Sequence, residues 1–228
     1  MDKKMTGAED PEEVIELALD LTESYIEKHF KKLIIAVVAI ILVTGSYFGY
    51  DQLIRAPRYE KASAAAFVAE QYFQQDSFAL ALNGAEDFEG FLSIADNYSS
   101  TPTGNVANHY AGICYLQLGE LDNALSALQS YSQVNGKAAD IINAQNVGLV
   151  GDIMVQKGEV EKSISYYEKA AAFLNDFSTP IYLKKLGLTY EALGNSAKAV
   201  ETYQRIVNEY SSSMEARDIE KFIGRAEK

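Results

Sequence analysis

The sequence predicts an all-α protein: an N-terminal amphipathic helix, a single transmembrane helix, and an α-solenoid of helical hairpins closed by a C-terminal capping helix. Two observations carry this expectation. Residues 33–50, LIIAVVAIILVTGSYFGY, run without a charge between Lys31-Lys32 and Asp51. Beyond them, one pattern of small, aromatic and glycine positions recurs three times.

The uncharged stretch comes first because it divides the chain. As a helix it reaches ~27 Å, the thickness of a hydrocarbon core. Its Leu, Ile, Val and Phe residues favour insertion by roughly 3–6 kcal/mol, with no ionised group to oppose them. Tyr47, Phe48 and Tyr50 lie at its far end, where aromatic rings favour the headgroup level. A buried core helix or the core of a cleaved signal peptide shares this composition. A signal peptide fits poorly, because some thirty acidic-rich residues come first rather than a short basic region. Within the stretch, Gly45 and Gly49 are four apart, a spacing that lets a second helix approach closely, so they are candidates for an intramembrane contact. The basic pair Lys31-Lys32 abuts the stretch on its N-terminal side, which weakly favours a cytoplasmic tail; Arg55, Arg58 and Lys61 flank the other side.

The tail, residues 1–32, is predicted to start a helix at Asp10-Pro11-Glu12-Glu13. Asp10 suits the N-cap, Pro11 the first helical position, and Glu13 the capping spacing. Val14, Ala18, Leu21 and Tyr25 then share a face, and Glu16, Asp20, Glu23 and Glu27 form an acidic stripe. The helix is either a solvated lead-in to the anchor or a docking helix. Its acidic stripe favours a protein partner over an anionic bilayer.

Composition narrows the function. The net charge is −12. That balance argues against nucleic acid as a partner. Cys114 is the single cysteine, so neither an intramolecular disulfide nor a cysteine metal site is available. There is no P-loop, dinucleotide fingerprint, zinc spacing or catalytic constellation, and the reading is of a non-enzyme without cofactor or metal.

After the anchor, residues 51–104 read as a stem helix and a degenerate first repeat. Tyr59, Ala62, Ala66, Ala69 and Phe73 fall at helical spacing, Asn83-Gly84 is a turn, and residues 87–96 read as a second helix with Phe88, Phe91, Leu92 and Ala95 inward. Residues 105–212 hold three repeats. Gly112, Gly151 and Gly187 stand at the first small position; Tyr115, Met154 and Tyr190 follow; Gly119, Gly158 and Gly194 stand at the turn; Ala124, Ser163 and Ala199 stand early in the second helix. Small residues let paired helices cross closely, and the aromatics fill the gap to the next pair. Residues 130–138 are expected to loop out the extra length of the first unit. Residues 213–228 supply the cap, with Ala216, Ile219, Phe222, Ile223 and Ala226 inward.

These positions resemble the tetratricopeptide repeat, a 34-residue helical hairpin. The leading Trp of that family is absent, and the units are stretched. The resemblance implies a concave groove built from fixed positions of each first helix. Carried over, these are Val106, His109, Ile113, Leu116 and Gln117, then Gln145, Gly148, Asp152, Val155 and Gln156, then Ile181, Lys184, Leu188, Glu191 and Ala192. Such a face, aliphatic with one Lys, suits extended or unfolded polypeptide or a partner's apolar helix. Later helices covering these residues would instead make them core. Cys114 is expected to be buried.

The order of acidic tail, single anchor, Asp/Arg stem, alanine-rich helix and repeats resembles the YfgM-like ancillary subunits of the bacterial SecYEG translocon. That resemblance implies an inner-membrane protein with a cytoplasmic N-terminus and periplasmic repeats. Its implied partners are the Sec channel, a membrane-bound periplasmic chaperone and emerging secreted polypeptides. A repeat scaffold for cell-envelope assembly proteins is the alternative.

Overall fold

The computed structural model describes the backbone from residue 11 and side chains from Tyr25 onward, Glu27 excepted. The expected Asp10 cap and the faces assigned to Val14, Ala18, Leu21, Glu16, Asp20, Glu23 and Glu27 lie outside those described side chains. The chain divides into two units, residues 1–57 and 58–228.

The first unit is one long helix, α1, Pro11–Tyr50, followed by a wider π-type turn, Asp51–Arg55. The apolar window has a mean hydropathy of 2.2, and none of it is buried. Length and composition therefore suffice to cross a membrane. In the turn, the Ala56 N–H reaches back five residues to the Asp51 carbonyl. The neighbouring Pro57 has no N–H to offer the Leu53 carbonyl four residues earlier, so the i−4 ladder is broken here in any case.

The second unit is helical hairpins. Helix α2, Ala56–Gln74, buries Ala62, Ala66 and Ala69. The short α3, Phe78–Asn83, leads into two paired two-residue strands, β1 Gly84–Ala85 and β2 Phe88–Glu89. Helix α4 follows at Phe91–Asn97. The expected helix over 87–96 is thus corrected: its first turn is a hairpin. Gly90 is the reason. It sits in extended conformation against the Gly84 backbone, leaving no room for a Cβ. Phe91 and Ile94 are buried, whereas Leu92, expected inward, is exposed.

The three full pairs are α5 Pro102–Gln117 with α6 Leu121–Ser130, α7 Asp140–Gln156 with α8 Val160–Ala171, and α9 Thr179–Ala192 with α10 Ser196–Glu209. Thr101 caps α5 by accepting from the Gly104 N–H, ahead of Pro102 in the first turn. Asn195 caps α10 by accepting from the Lys198 N–H. Both glycine classes have structural causes. A Cβ on Gly112 would come within 2.6 Å of Leu128, one on Gly151 within 2.7 Å of Tyr167, and one on Gly187 would enter the Tyr203 ring. Gly119, Gly158 and Gly194 have φ of +79°, +79° and +72°, the left-handed turn that ends each first helix. Ala124, Ser163 and Ala199 are fully buried beneath these crossings.

The extra length of the first repeat is an extended strap fastened by two asparagines. Asn143 accepts from the Tyr131 hydroxyl and the Val134 N–H and donates to the Val134 carbonyl. Asn105 donates to the Ser132 carbonyl and accepts from the Ser132 N–H. The C-terminal segment is a 3-10 turn, Glu215–Arg217, and then α11, Ile219–Ala226, rather than one continuous helix. Ile219 and Ala226 are buried, and Phe222 and Ile223 pack on the last pair.

Candidate functional site

The groove residues separate into three groups once placed. Val155 and Leu188 are each 39% exposed, and Ile113 is half-buried. Gln117 and Gln156, equivalent by repeat phase, are exposed beside them. Val106 lines a cleft of about 220 Å³ with Ala66, Glu70, Phe91, Thr103 and Tyr110. Glu70 apart, these side chains are neutral.

The second group is core. His109, expected in the groove, is 2% exposed. Its Nδ1 lies 3.0 Å from the Asn146 Oδ1, while the Asn146 amide donates to the Leu128 carbonyl. That second bond fixes the amide, so His109 donates through Nδ1. Burial pushes its pKa below the ordinary 6.5, against hydrogen bonds with Asn146 and Gln145 that raise it. Gly148 is also packed, because a side chain there would enter the Tyr182 ring. Leu116 is half-buried against the Leu128, Val150 and Ile153 cluster. Cys114 is buried as expected, and burial pushes its thiol up to about 12.

The third group is neutralised within the chain. Asp152 accepts from Lys185 Nζ at 2.6 Å and from the Tyr167 hydroxyl at 2.7 Å. Burial first, and then the Asp152 charge and hydrogen bond, raise the Tyr167 pKa. Lys184 pairs with Asp218 at 2.9 Å and sits 4.4 Å from the Phe222 ring centre. Glu191 accepts from the Tyr203 hydroxyl and from Arg225. The cap therefore covers the far end of the expected groove. Repeat phase alone could not show this, since it assigns the same position types whether or not another helix follows.

A larger cleft, about 500 Å³, lies among α8, α9 and α10, lined by Glu168, Leu174, Leu186, Tyr190, Lys198 and Arg205. Three of its charged groups have local partners: Tyr190 donates to Glu168, Arg205 pairs with Glu209, and Lys198 lies 5.2 Å from the Tyr190 ring centre; Glu201 also lines it. Among the described residues no group of three or more His, Cys, Asp or Glu could hold a metal ion. Gly45 and Gly49 stand on an exposed helix face with nothing within 4 Å of where a Cβ would lie. Sequence reasoning missed the cleft at Glu70. Its signal was the run of alanines on α2, which leaves space wherever a larger neighbour does not fill it.

A family model for the tetratricopeptide repeat matches residues 185–213. The repeat domain is similar to the crystal structure of nearly identical TPR-like repeats from a Podosopora anserina protein named for kinesin light chain. The TM-score is 0.57 at 15% identity, covering 73% of this chain and 84% of that one. It is also similar to the crystal structure of MamA, with a TM-score of 0.55 at 17% identity over 73% and 81%. The fold is a tetratricopeptide-type solenoid. In sequence the chain is 33% identical over 93 residues, 41% of its length, to the Bos taurus BBSome complex member BBS4, and the match spans 16% of that relative. Tetratricopeptide-type solenoids suggest a protein-interaction scaffold.

Proposed function

We propose that this protein is a membrane-anchored tetratricopeptide docking subunit. In this reading α1 crosses the bacterial inner membrane once, with the N-terminus cytoplasmic and the repeats periplasmic. The solenoid acts as an accessory, chaperone-like subunit of the SecYEG translocon, beside a membrane-bound periplasmic chaperone, and binds partner proteins or emerging secreted polypeptides. In this reading Ile113, Val155 and Leu188, neutral aliphatics of which Val155 and Leu188 are exposed, form one strip; their exposure, on a chain that also carries an unburied apolar helix, is the observation that carries it. A strip whose neighbouring charges Asp152, Lys184 and Glu191 are already paired gives no counter-charge for a terminal carboxylate. It suits uncharged, extended chain.

The alternative is a scaffold for cell-envelope assembly proteins, with no contact to translocating chains. Site-specific photocrosslinking from positions 113, 155 and 188 separates the two. Crosslinks to nascent secreted chains and the Sec channel support the first reading; crosslinks to folded assembly proteins alone overturn it. Ile113→Asp with Val155→Asp is expected to cut client crosslinking several-fold while circular dichroism is unchanged. Protease accessibility on intact spheroplasts tests the side on which the repeats lie.

A further inference from the structure

We infer that the cleft between α2 and α5 is a socket for a Lys or Arg side chain of the polypeptide lying in the groove, with Glu70 as its counter-charge. This rests on the groove reading above and adds which residue type anchors the bound chain. The cleft's volume, about 220 Å³, falls below the ~300–1,000 Å³ of small-molecule pockets and suits one long side chain. Its walls are Ala66, Phe91, Val106 and Tyr110, with the Phe91 and Tyr110 rings stacked at 5.0 Å. Glu70 supplies its one carboxylate.

Charge decides the occupant. The ionisable groups of the expected groove are matched inside the chain, as Asp152 with Lys185, Lys184 with Asp218, and Glu191 with Arg225. Among the described residues Glu70 forms no ion pair. Its charge is felt inside the cleft: burial, and after it Glu70, raise the Tyr110 pKa. A Lys or Arg stem lays its methylenes along apolar wall while its head reaches the carboxylate. An Arg head also gains from the aromatic faces. A neutral side chain of equal length would desolvate Glu70 without compensation, and an acidic one would be repelled.

The test uses full-length protein in detergent micelles and fluorescein-labelled nonapeptides, Ser-Val-Gln-Leu-Xaa-Leu-Gln-Val-Ser, with Lys, norleucine or Glu at the centre. Anisotropy titration is expected to show the Lys peptide binding about tenfold more tightly than the norleucine peptide, and the Glu peptide more weakly than either. Glu70→Gln is expected to bring the Lys-to-norleucine ratio close to one, by weakening the Lys peptide and strengthening the norleucine peptide, whose binding no longer desolvates a carboxylate. Glu70→Lys is expected to favour the Glu peptide. Equal binding of the Lys and norleucine peptides, or a ratio that survives in Glu70→Gln, overturns the socket and leaves the groove standing. No binding of any peptide to protein with native circular dichroism overturns the groove reading and the socket with it.

Discussion

Small residues spaced along a helix mark two regions of this chain, and the structure gives them opposite meanings. In the repeats, Gly112, Gly151 and Gly187 lie under Leu128, Tyr167 and Tyr203, so close that a methyl group could not enter. In the apolar helix α1, Gly45 and Gly49 meet nothing. The same letter thus records a contact already made in one region and a surface without one in the other. What separates them is the neighbouring sequence. The repeat glycines recur in phase with a partner residue sixteen positions later, Leu128, Tyr167 or Tyr203, while the α1 glycines sit in an unbroken apolar run.

The largest expected effect breaks the contact where it is tightest. Gly187→Val would drive two methyl groups at Tyr203, which is fully buried and donates its hydroxyl to Glu191. Overpacking of this kind costs about 1–3 kcal/mol or more. The thermal midpoint of the repeat domain is expected to fall by roughly 4–10 °C, measured by circular dichroism in detergent. A midpoint equal to wild type would show that the ring can move aside, and the crossing would no longer explain the glycine. Gly194→Ala asks the milder question. The site is spatially open but has φ +72°, so only the left-handed backbone is taxed, by about 1–2 kcal/mol.

His109 sharpens the contrast from inside the core. It is buried and its folded-state pKa lies below 6.5, so the unfolded chain takes up a proton first as pH falls. The sign follows from linkage: stability from this group is intact above about pH 6.5 and is lost as pH drops from there through the folded-state value. Urea midpoints should decline between pH 7 and 5.5 in wild type. His109→Gln should flatten that decline. An identical slope in the variant would assign it to other groups.

How much of this was legible in the letters differs by region for physical reasons. The repeat pairs were, because Gly112, Gly119 and Ala124 each answer a local demand that the backbone makes again at Gly151, Gly158 and Ser163. The hairpin at 84–89 was not. Phe88, Phe91 and Leu92 have helical spacing, and only the close approach of Gly90 to Gly84 shows that the chain turns there. The environments of the expected groove residues were half legible. The exposure of Val155 and Leu188 follows from repeat phase, but the burial of His109 goes with Asn146, thirty-seven residues away, and the covering of Lys184 with Asp218 and Phe222 from the cap. Long-range partners of this kind leave no periodic trace. The cleft at Glu70 is a product of what is missing, small alanines on α2, and patterns of presence do not reveal it.

The smallest effect on stability is expected in the apolar helix α1. Gly45→Leu with Gly49→Leu places two large side chains into open space on a helix already exposed along its length. Leu is the better helix former by about 0.6–1 kcal/mol per site. The repeat domain, a separate compact unit from residue 58, should therefore melt as before. If the two glycines admit a neighbouring membrane helix, the loss appears instead as reduced copurification of a membrane partner after mild detergent extraction, because close backbone approach is what the leucines prevent. Unchanged recovery with an unchanged melting curve would refute that interface, and the glycine spacing would then reflect the composition of an apolar helix alone.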